Sequence, residues 1–419
     1  MDVNEQGNNR LLGVGICLGL AAGVVLFQIG FAALLSPGKN LAEIYASFCT
    51  WDCIWYKDIA TQGYFMKVPV ELWTFGLGNV AFFPGLPLAA SGLIRLGITP
   101  DYAVVFTSQI ACWGWWSYVF LLWRRWRVPR LLQALTLTIM LAHPAAFFLV
   151  MGYSESLFLL GLGGFLFWLG SPTPLGRFLA AVHGWWMTAT RIVGLPLAFL
   201  PLAQRVLAAA RDPRCWRWIG WDGLVSLVAA SGTLLFFLFC WWQFGHWDLY
   251  AQIQRMGWNM KPLYGAVFRW STYQLPPLDG DPQVLMNRLA TTLTLAFVGG
   301  MTLLDGLQIL LHWWFARIPV SQGWQERVML YGAAWMMLVV SIAGLANLNM
   351  QSMIRYTMPV VMIMGLGVSH YGTHLPLSEG LRPRWVMALV VMLLVLLAGG
   401  LLCAQGILVM RFTRSQWVA

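Results

Sequence analysis

The sequence predicts an all-α, polytopic membrane protein, and three observations carry that prediction. Of the 419 residues, 59% are hydrophobic and 10% are charged, and the mean hydropathy is +0.67. Apolar runs of about 20 residues, the length that an α-helix needs to cross a bilayer, recur along the chain. The net charge of +10 comes mostly from arginine, as expected for the cytoplasmic loops of a membrane protein rather than for nucleic-acid binding.

The apolar runs predict the order of the membrane helices. The first run, Leu11 to Leu35, is too long for a signal-peptide core and lacks a clear cleavage site, so we expect a retained helix. Two long loops, residues 37–79 and 244–285, are predicted to face the outside. The other predicted spans are residues 80–97, 102–123, 131–149, 155–170, 178–201, 223–243, 286–312, 327–345, 354–372 and 385–410. With no internal repeat or soluble segment, residues 1–419 are expected to form a single membrane domain of roughly 10–12 transmembrane helices.

Two arginine clusters set the expected orientation. Arg124 to Arg130 and Arg205 to Arg217 should both face the cytoplasm. Simple counting of helices conflicts with that placement unless residues 80–97 and 178–201 are broken or re-entrant. Because irregular backbone within a membrane is tolerated only against protein or a wet cavity, such breaks would also mark a functional region.

The stretch from Trp51 to Tyr64 combines aromatic and charged residues more densely than any other part of the chain. Read as one helix with the preceding residues, it has an apolar face formed by Ile44, Phe48, Trp51, Trp55 and Ile59. Asp52 falls on that same face. Two interpretations follow: a desolvated carboxylate that meets a partner or substrate, or an interfacial helix with an aromatic belt and one snorkelling acid.

Other charged residues are candidates with competing interpretations. Arg191 lies inside an apolar run, where arginine is costly and usually functional, although a snorkelling arginine near a helix end fits too. Glu155 is a second candidate acid, or simply a charge suited to a helix N-terminus. The position of Arg355 alone does not decide its role. The four lysines, Lys39, Lys57, Lys67 and Lys261, fall in predicted outer loops with Arg255 and Arg269, which suits a lipid phosphate or general attraction to anionic headgroups.

No metal or cofactor is expected. Asp279 and Asp281 have a spacing that a divalent cation could use, but the flanking prolines make a turn the simpler interpretation. His143, before Pro144, is isolated and is interpreted as structural. Cys49 and Cys53 are expected to be free thiols, because an i,i+4 spacing within one helix suits a disulfide poorly.

Four segments, taken in order, resemble the PIG-V family of membrane mannosyltransferases. They are Trp51-Asp52-x-x-Trp55-Tyr56-x-x-Ile59-Ala60-x-x-Gly63-Tyr64, Ala81-Phe82-Phe83-Pro84-Gly85-Leu86-Pro87-Leu88, Gly152-Tyr153-Ser154-Glu155-Ser156-Leu157-Phe158, and Thr190-Arg191-x-x-Gly194-Leu195. The resemblance covers the first half of the chain, with a weaker match at Arg355-Tyr356. The absence of long inserted loops favours a compact bacterial relative.

The resemblance implies a GT-C-type bundle with interfacial helices in the first outer loop. It also implies an inverting transfer of a sugar, mannose in this family, from a polyprenyl-phosphate donor to a lipid-linked or membrane acceptor at the outer face of a bacterial plasma membrane. The family's carboxylate maps to Asp52. Expected substrate-binding residues are Trp51, Trp55, Tyr56, Tyr64, Tyr153, Glu155, Arg191, Arg355 and Tyr356.

A secondary transporter or flippase for an anionic or lipid-linked substrate is the alternative from another class of protein. Broken helices, an intramembrane arginine and outer-facing cations fit it as well. That alternative lacks the repeated topology expected of such transporters and leaves the segment from Trp51 to Tyr64 unexplained.

Overall fold

A computed structural model describes residues 3–38, 40–66, 78–169, 171, 173–209, 212–277, 281–315, 323–373 and 384–418. The described chain is helical. The helices are α1 (Val3–Leu35), α2 (Leu41–Ser47), α3 (Asp52–Gln62), α4 (Gly85–Arg95), α5 (Pro100–Trp126), α6 (Arg130–Ala142), α7 (Glu155–Leu169), α8 (Pro174–Thr190), α9 (Gly194–Leu197), α10 (Leu200–Ala209), α11 (Ile219–Phe244), α12 (Leu249–Met256), α13 (Pro282–Phe315), α14 (Trp324–Leu345), α15 (Met353–Gly372) and α16 (Arg384–Thr413).

The prediction of an all-α, polytopic membrane protein is confirmed. Within the described residues, five helical segments are long and apolar enough to cross a membrane. They are Leu11–Leu35, Pro213–Phe244, Pro282–Leu311, Glu326–Leu348 and Met392–Thr413.

The chain divides into two compact units. The first unit contains Met1–Leu122, Phe147–Lys261 and Phe412–Gln416. The second contains Trp123–Ala146, Pro262–Arg411 and Trp417–Ala419. Whether they act as the single domain expected from the sequence stays a prediction.

Both segments that were expected to be broken are interrupted. Residues 80–84 are irregular, and α4 has 11 residues, so at about 1.5 Å per residue it is far shorter than the ~30 Å hydrocarbon core. Predicted span 178–201 is likewise split, because α8 ends at Thr190 and Arg191 is extended, with φ −150° and ψ 138°.

The predicted extents of two helices are wrong. The span predicted over residues 131–149 ends early: α6 stops at Ala142, before His143-Pro144, because proline disfavours helical backbone in the residue that precedes it. The continuous helix through Ile44 and Ile59 is also broken, since residues 48–51 form a turn between α2 and α3.

Glycines bring the helices of the first unit into close contact. A Cβ added to Gly161 on α7 would lie 2.7 Å from the backbone nitrogen of Met187 on α8, so only glycine fits there. A Cβ added to Gly232 on α11 would lie closer still to the backbone carbonyl oxygen of Trp185 on α8. Small residues at such contacts are typical of helices that pack within membranes. They fix α8, and with it the break at Arg191, between α7 and α11.

The second unit contains a buried ion pair that the sequence reading missed. Arg327 on α14 donates from Nε to Asp305 Oδ2 at 2.6 Å and from Nη2 to Asp305 Oδ1 at 3.0 Å. The guanidinium carbon lies 5.5 Å from the centre of the Tyr371 ring. Asp305 belongs to α13, so the two partners are on different helices, and their spacing in the sequence does not reveal the pair.

Candidate active site

Asp52 is the first residue of α3 and is 9% exposed. The buried face of this helix consists of Asp52, Cys53, Tyr56 and Ile59. The prediction that Asp52 lies on the buried side of its helix is therefore confirmed, although the neighbours differ from those expected. A carboxylate in the first turn is stabilised by the positive end of the helix dipole.

The backbone before Asp52 is strained. Trp51 has φ 55° and ψ −112°, a backbone conformation that residues other than glycine rarely adopt. Such conformations cost free energy and persist only where the surrounding structure enforces them.

A disulfide joins Cys49 to Cys53, which corrects the expectation of free thiols. Cys49 lies in the turn before α3, outside the helix that contains Cys53, so the poor geometry of an i,i+4 pair within one helix does not apply. The Cα atoms are 5.0 Å apart, within the usual range for a disulfide. The bridge closes a short loop around Trp51 and Asp52.

The segment Gly152-Tyr153-Ser154-Glu155 lies directly against this loop. The amide of Gly152 donates to the carbonyl oxygen of Phe48 at 3.1 Å. A Cβ on Gly152 would collide with the Cys53 sulfur, so glycine is required for this contact. The amide of Asp52 contacts the Tyr153 hydroxyl at 3.4 Å. Two segments separated by about a hundred residues in the sequence are thus neighbours.

Glu155 forms an ion pair with Arg191. Nη1 of Arg191 lies 2.7 Å from Oε1 of Glu155, whose side chain is fully buried, whereas the Arg191 side chain is 13% exposed. The helix break places Arg191 at the end of α8, where Gly194 allows the chain to turn back against the carbonyl of Met187. Both residues were predicted site residues, and the structure brings them together.

Tyr56 lies close enough to Asp52, Glu155 and Arg191 for their charges to act on its phenol. Burial raises the pKa of the Tyr56 phenol, and the charges of Asp52 and Glu155 raise it further. A hydrogen bond with Ser154 and the charge of Arg191 lower it by less. The phenol therefore stays protonated near neutral pH. Ser154 was not among the predicted site residues.

The segment around Phe82 closes one side of the cluster. The Phe82 ring stacks on Trp55, with 5.9 Å between the ring centres. It also makes T-shaped contacts with Tyr56 and Trp258, at 5.2 and 5.9 Å between ring centres. The Tyr64 hydroxyl donates to the Phe82 carbonyl at 2.8 Å. Trp55 and Tyr64 are thus packed within the protein, and their predicted stacking on sugar or prenyl groups stays a prediction.

Gly85, at the start of α4, packs directly against the end of α8. A Cβ at Gly85 would lie 2.9 Å from the carbonyl oxygen of Ala189 and closer still to the Thr190 hydroxyl. The four segments that carry the family resemblance therefore meet around Asp52, Tyr56, Glu155 and Arg191.

Arg355 and Tyr356 lie in the second unit, near the start of α15. Arg355 is buried, and its guanidinium carbon is 5.3 Å from the centre of the Tyr356 ring. Their assignment to substrate binding stays a prediction.

The predicted outer-loop cations lie in different surroundings. Lys57 pairs with Asp101 at 3.0 Å, and Lys261 is exposed. Lys39, Lys67 and Asp279 lie outside the described residues. Among the residues that the structure describes, no group of three or more His, Cys, Asp or Glu side chains could hold a metal ion.

Comparisons with known proteins give likenesses to solved structures. No family model matches the chain, and no curated protein matches it. The crystal structure of ArnT from Cupriavidus metallidurans bound to undecaprenyl phosphate is similar with a TM-score of 0.48 and 16% sequence identity, over 94% of this chain and 75% of that chain.

Proposed function

We propose that this protein is an inverting glycosyltransferase of the GT-C class. It would transfer mannose from a polyprenyl-phosphate donor to a lipid-linked or membrane acceptor. The observation that carries the proposal is the convergence of the four family-like segments on one buried cluster of Asp52, Tyr56, Glu155 and Arg191. The sugar identity rests on the resemblance of these segments to the PIG-V family.

Asp52 is proposed as the general base. In an inverting transfer, the acceptor hydroxyl oxygen attacks the anomeric carbon from the side opposite the phosphate. The bond between the anomeric carbon and the phosphate oxygen breaks, and its electron pair leaves with the lipid phosphate. The proton of the acceptor hydroxyl passes to the Asp52 carboxylate. Asp52 suits this role because it is largely buried and is held by the start of α3, the disulfide and the contact with Tyr153.

Arg191 is proposed to stabilise the departing phosphate. Negative charge builds on the leaving group, and a guanidinium close to it lowers the barrier. A guanidinium has five N–H donors, enough for a carboxylate and a second oxyanion. Its ion pair with Glu155 would orient it, and the helix break keeps it partly accessible. Tyr56 would position the two acids through its protonated phenol.

The site is proposed to face the extracytoplasmic side of a bacterial plasma membrane. Disulfides persist in oxidising compartments, and the Cys49–Cys53 bridge lies beside Asp52. The arginine clusters at Arg124 to Arg130 and Arg205 to Arg217 favour the opposite side for their loops.

The test is to replace Asp52 by asparagine. Asparagine keeps the volume of the side chain but cannot accept the proton, so Asp52→Asn should reduce transfer by about 10²–10⁴-fold while expression and donor binding remain. The matched control is Asp58→Asn, since Asp58 lies on the same helix but outside its buried face. Purified protein is given sugar-loaded polyprenyl phosphate and an acceptor extract, and the release of free polyprenyl phosphate is measured.

Two results would contradict the proposal. Full activity of Asp52→Asn would make Asp52 a buried structural acid. A wild-type protein that moves the intact lipid across the membrane without releasing polyprenyl phosphate would be a transporter or flippase instead.

A further inference from the structure

The second unit contains a pocket of about 280 Å³ that combines two arginines with neutral polar groups. Its walls come from the segment before α13, the second turn of α13 and the chain that follows α14. Its polar and charged lining residues are Arg269, Ser271, Thr272, Arg288 and Asn349. The volume is just below that of typical small-molecule sites, about 300–1,000 Å³, and suits a headgroup-sized ligand.

The charge in this pocket is positive. Within the described part of the chain, no acidic side chain pairs with Arg269 or Arg288. Arg288 donates from Nη1 to the carbonyl of Gln274 at 2.6 Å, which fixes the guanidinium in place. Its Nε is buried and has no acceptor among the described residues. A buried donor of this kind, next to a second arginine, is suited to an oxyanion.

The backbone of one wall is held in uncommon conformations. Asn349 and Met350 have φ values of 52° and 61°, and neither is glycine. Such strain costs free energy and is often found at ligand-binding sites. The amide of Leu263, which also lines the pocket, donates to the Ala343 carbonyl at 2.8 Å and so anchors the arginine-bearing segment to α14.

The pocket lies where two candidate membrane spans begin and end. Arg288 is in the second turn of Pro282–Leu311, whereas Asn349 directly follows Glu326–Leu348. The segment before α13 that contains Arg269 also exposes large aromatic side chains: Phe268 is 90% exposed and Trp270 is 78% exposed. Aromatic residues concentrate at the membrane–water boundary, where lipid headgroups lie.

We propose that this pocket binds a phosphate group and that the phosphate belongs to the headgroup of an anionic membrane lipid. The two guanidinium groups would bind the phosphate oxygens, and the exposed aromatic residues would contact the glycerol and upper acyl region. The proposal goes beyond the transfer reaction and does not depend on it.

The test measures lipid binding in the absence of any sugar donor. Purified protein in neutral detergent is titrated with phosphatidylglycerol, with diacylglycerol of the same chains, or with inorganic phosphate, and retained ligand is counted by native mass spectrometry. We expect binding of phosphatidylglycerol but not of diacylglycerol. Arg269→Gln should weaken that binding by roughly tenfold or more, and adding Arg288→Gln should weaken it further.

Arg214→Gln is the matched control, because Arg214 is an exposed arginine outside the pocket. It should bind phosphatidylglycerol as the wild type does. Because Arg288 also donates to the Gln274 carbonyl, the double variant could lose stability, so thermal unfolding is measured for each variant. If the double variant is unstable, the lipid binding of Arg269→Gln alone tests the proposal. Binding of inorganic phosphate without phosphatidylglycerol would overturn the lipid as the source. Equal lipid binding by wild type and Arg269→Gln would overturn the pocket.

Discussion

Two buried arginine–carboxylate pairs, one in each unit, differ in how they are built. Arg327 on α14 is fully buried and donates two hydrogen bonds to the carboxylate of Asp305. Arg191 follows the end of α8, is 13% exposed, and meets Glu155 through Nη1. The charges of Arg191, Glu155 and Asp52 all act on the phenol of Tyr56.

The difference shows that burial alone does not identify a functional arginine. A buried arginine inside a membrane protein is costly, and both residues meet that description. Of these two arginines, Arg191 is the one that follows a helix break and remains partly accessible, whereas Arg327 lies within a continuous helix and is fully buried. Arg327 has the geometry of an internal tie between α13 and α14. The same substitution at both positions should therefore damage different properties.

The largest effect on stability is expected at Arg327. Removing one partner of a buried pair leaves an uncompensated charge, which typically costs about 3–5 kcal/mol. Arg327→Ala should therefore unfold at a much lower temperature or fail to accumulate, as measured by thermal unfolding in detergent. Replacing both partners, as Asp305→Leu with Arg327→Met, should restore much of the loss because no charge is left buried. An Arg327→Ala variant as stable as wild type would make the pair energetically unimportant.

A smaller effect, on activity rather than stability, is expected from Arg191→Lys. Lysine keeps the positive charge opposite the buried Glu155 but loses the planar fork of the guanidinium. Transition-state stabilisation should fall by about 2–4 kcal/mol, measured as kcat/KM for the polyprenyl-phosphate sugar, with little change in unfolding temperature.

Arg327→Lys is the matched comparison for this prediction. It should lower the unfolding temperature and leave the rate per folded molecule unchanged. If the two variants show the same pattern, the distinction between the pairs is wrong.

The sequence predicted the buried Asp52, a break within residues 178–201 and the all-helical membrane fold. The burial of Asp52 follows from a charge on an apolar helix face, and the fold follows from the hydropathy of the chain. The break follows from the orientation that the two arginine clusters require. The sequence did not predict the Glu155–Arg191 pair or the Asp305–Arg327 pair, because each joins residues on different helices. The disulfide was missed because the turn at residues 48–51 could not be seen in an apparently continuous helical pattern.

Loss of the disulfide is expected to disturb the position of Asp52 without unfolding the first unit. For so short a loop, the entropic contribution to stability is small, about 2 kcal/mol. The bridge holds the strained turn before Asp52, and a displacement of the base by about 1 Å can cost up to ~10² in rate. Replacing Cys49 and Cys53 together by alanine should therefore lower kcat more than it raises KM.

Cys403→Ala provides the control for the disulfide variant, since Cys403 is an exposed free cysteine in the second unit. It should have wild-type kinetics. Normal kcat after loss of the bridge would mean that α3 positions Asp52 unaided.

The smallest effect is expected from chelation of divalent cations. Positive charge for the departing phosphate is proposed to come from Arg191, so the transfer should not need a metal ion. Directly before α13, Asp281 Oδ1 accepts the amide of Gln283 at 2.8 Å, as a carboxylate that caps a helix does. Transfer by the purified protein should therefore keep its rate after treatment with EDTA, and Asp281→Asn should have no effect. Loss of activity with EDTA and its recovery with manganese would instead require a cation, with Asp279 and Asp281 as the first ligands to test.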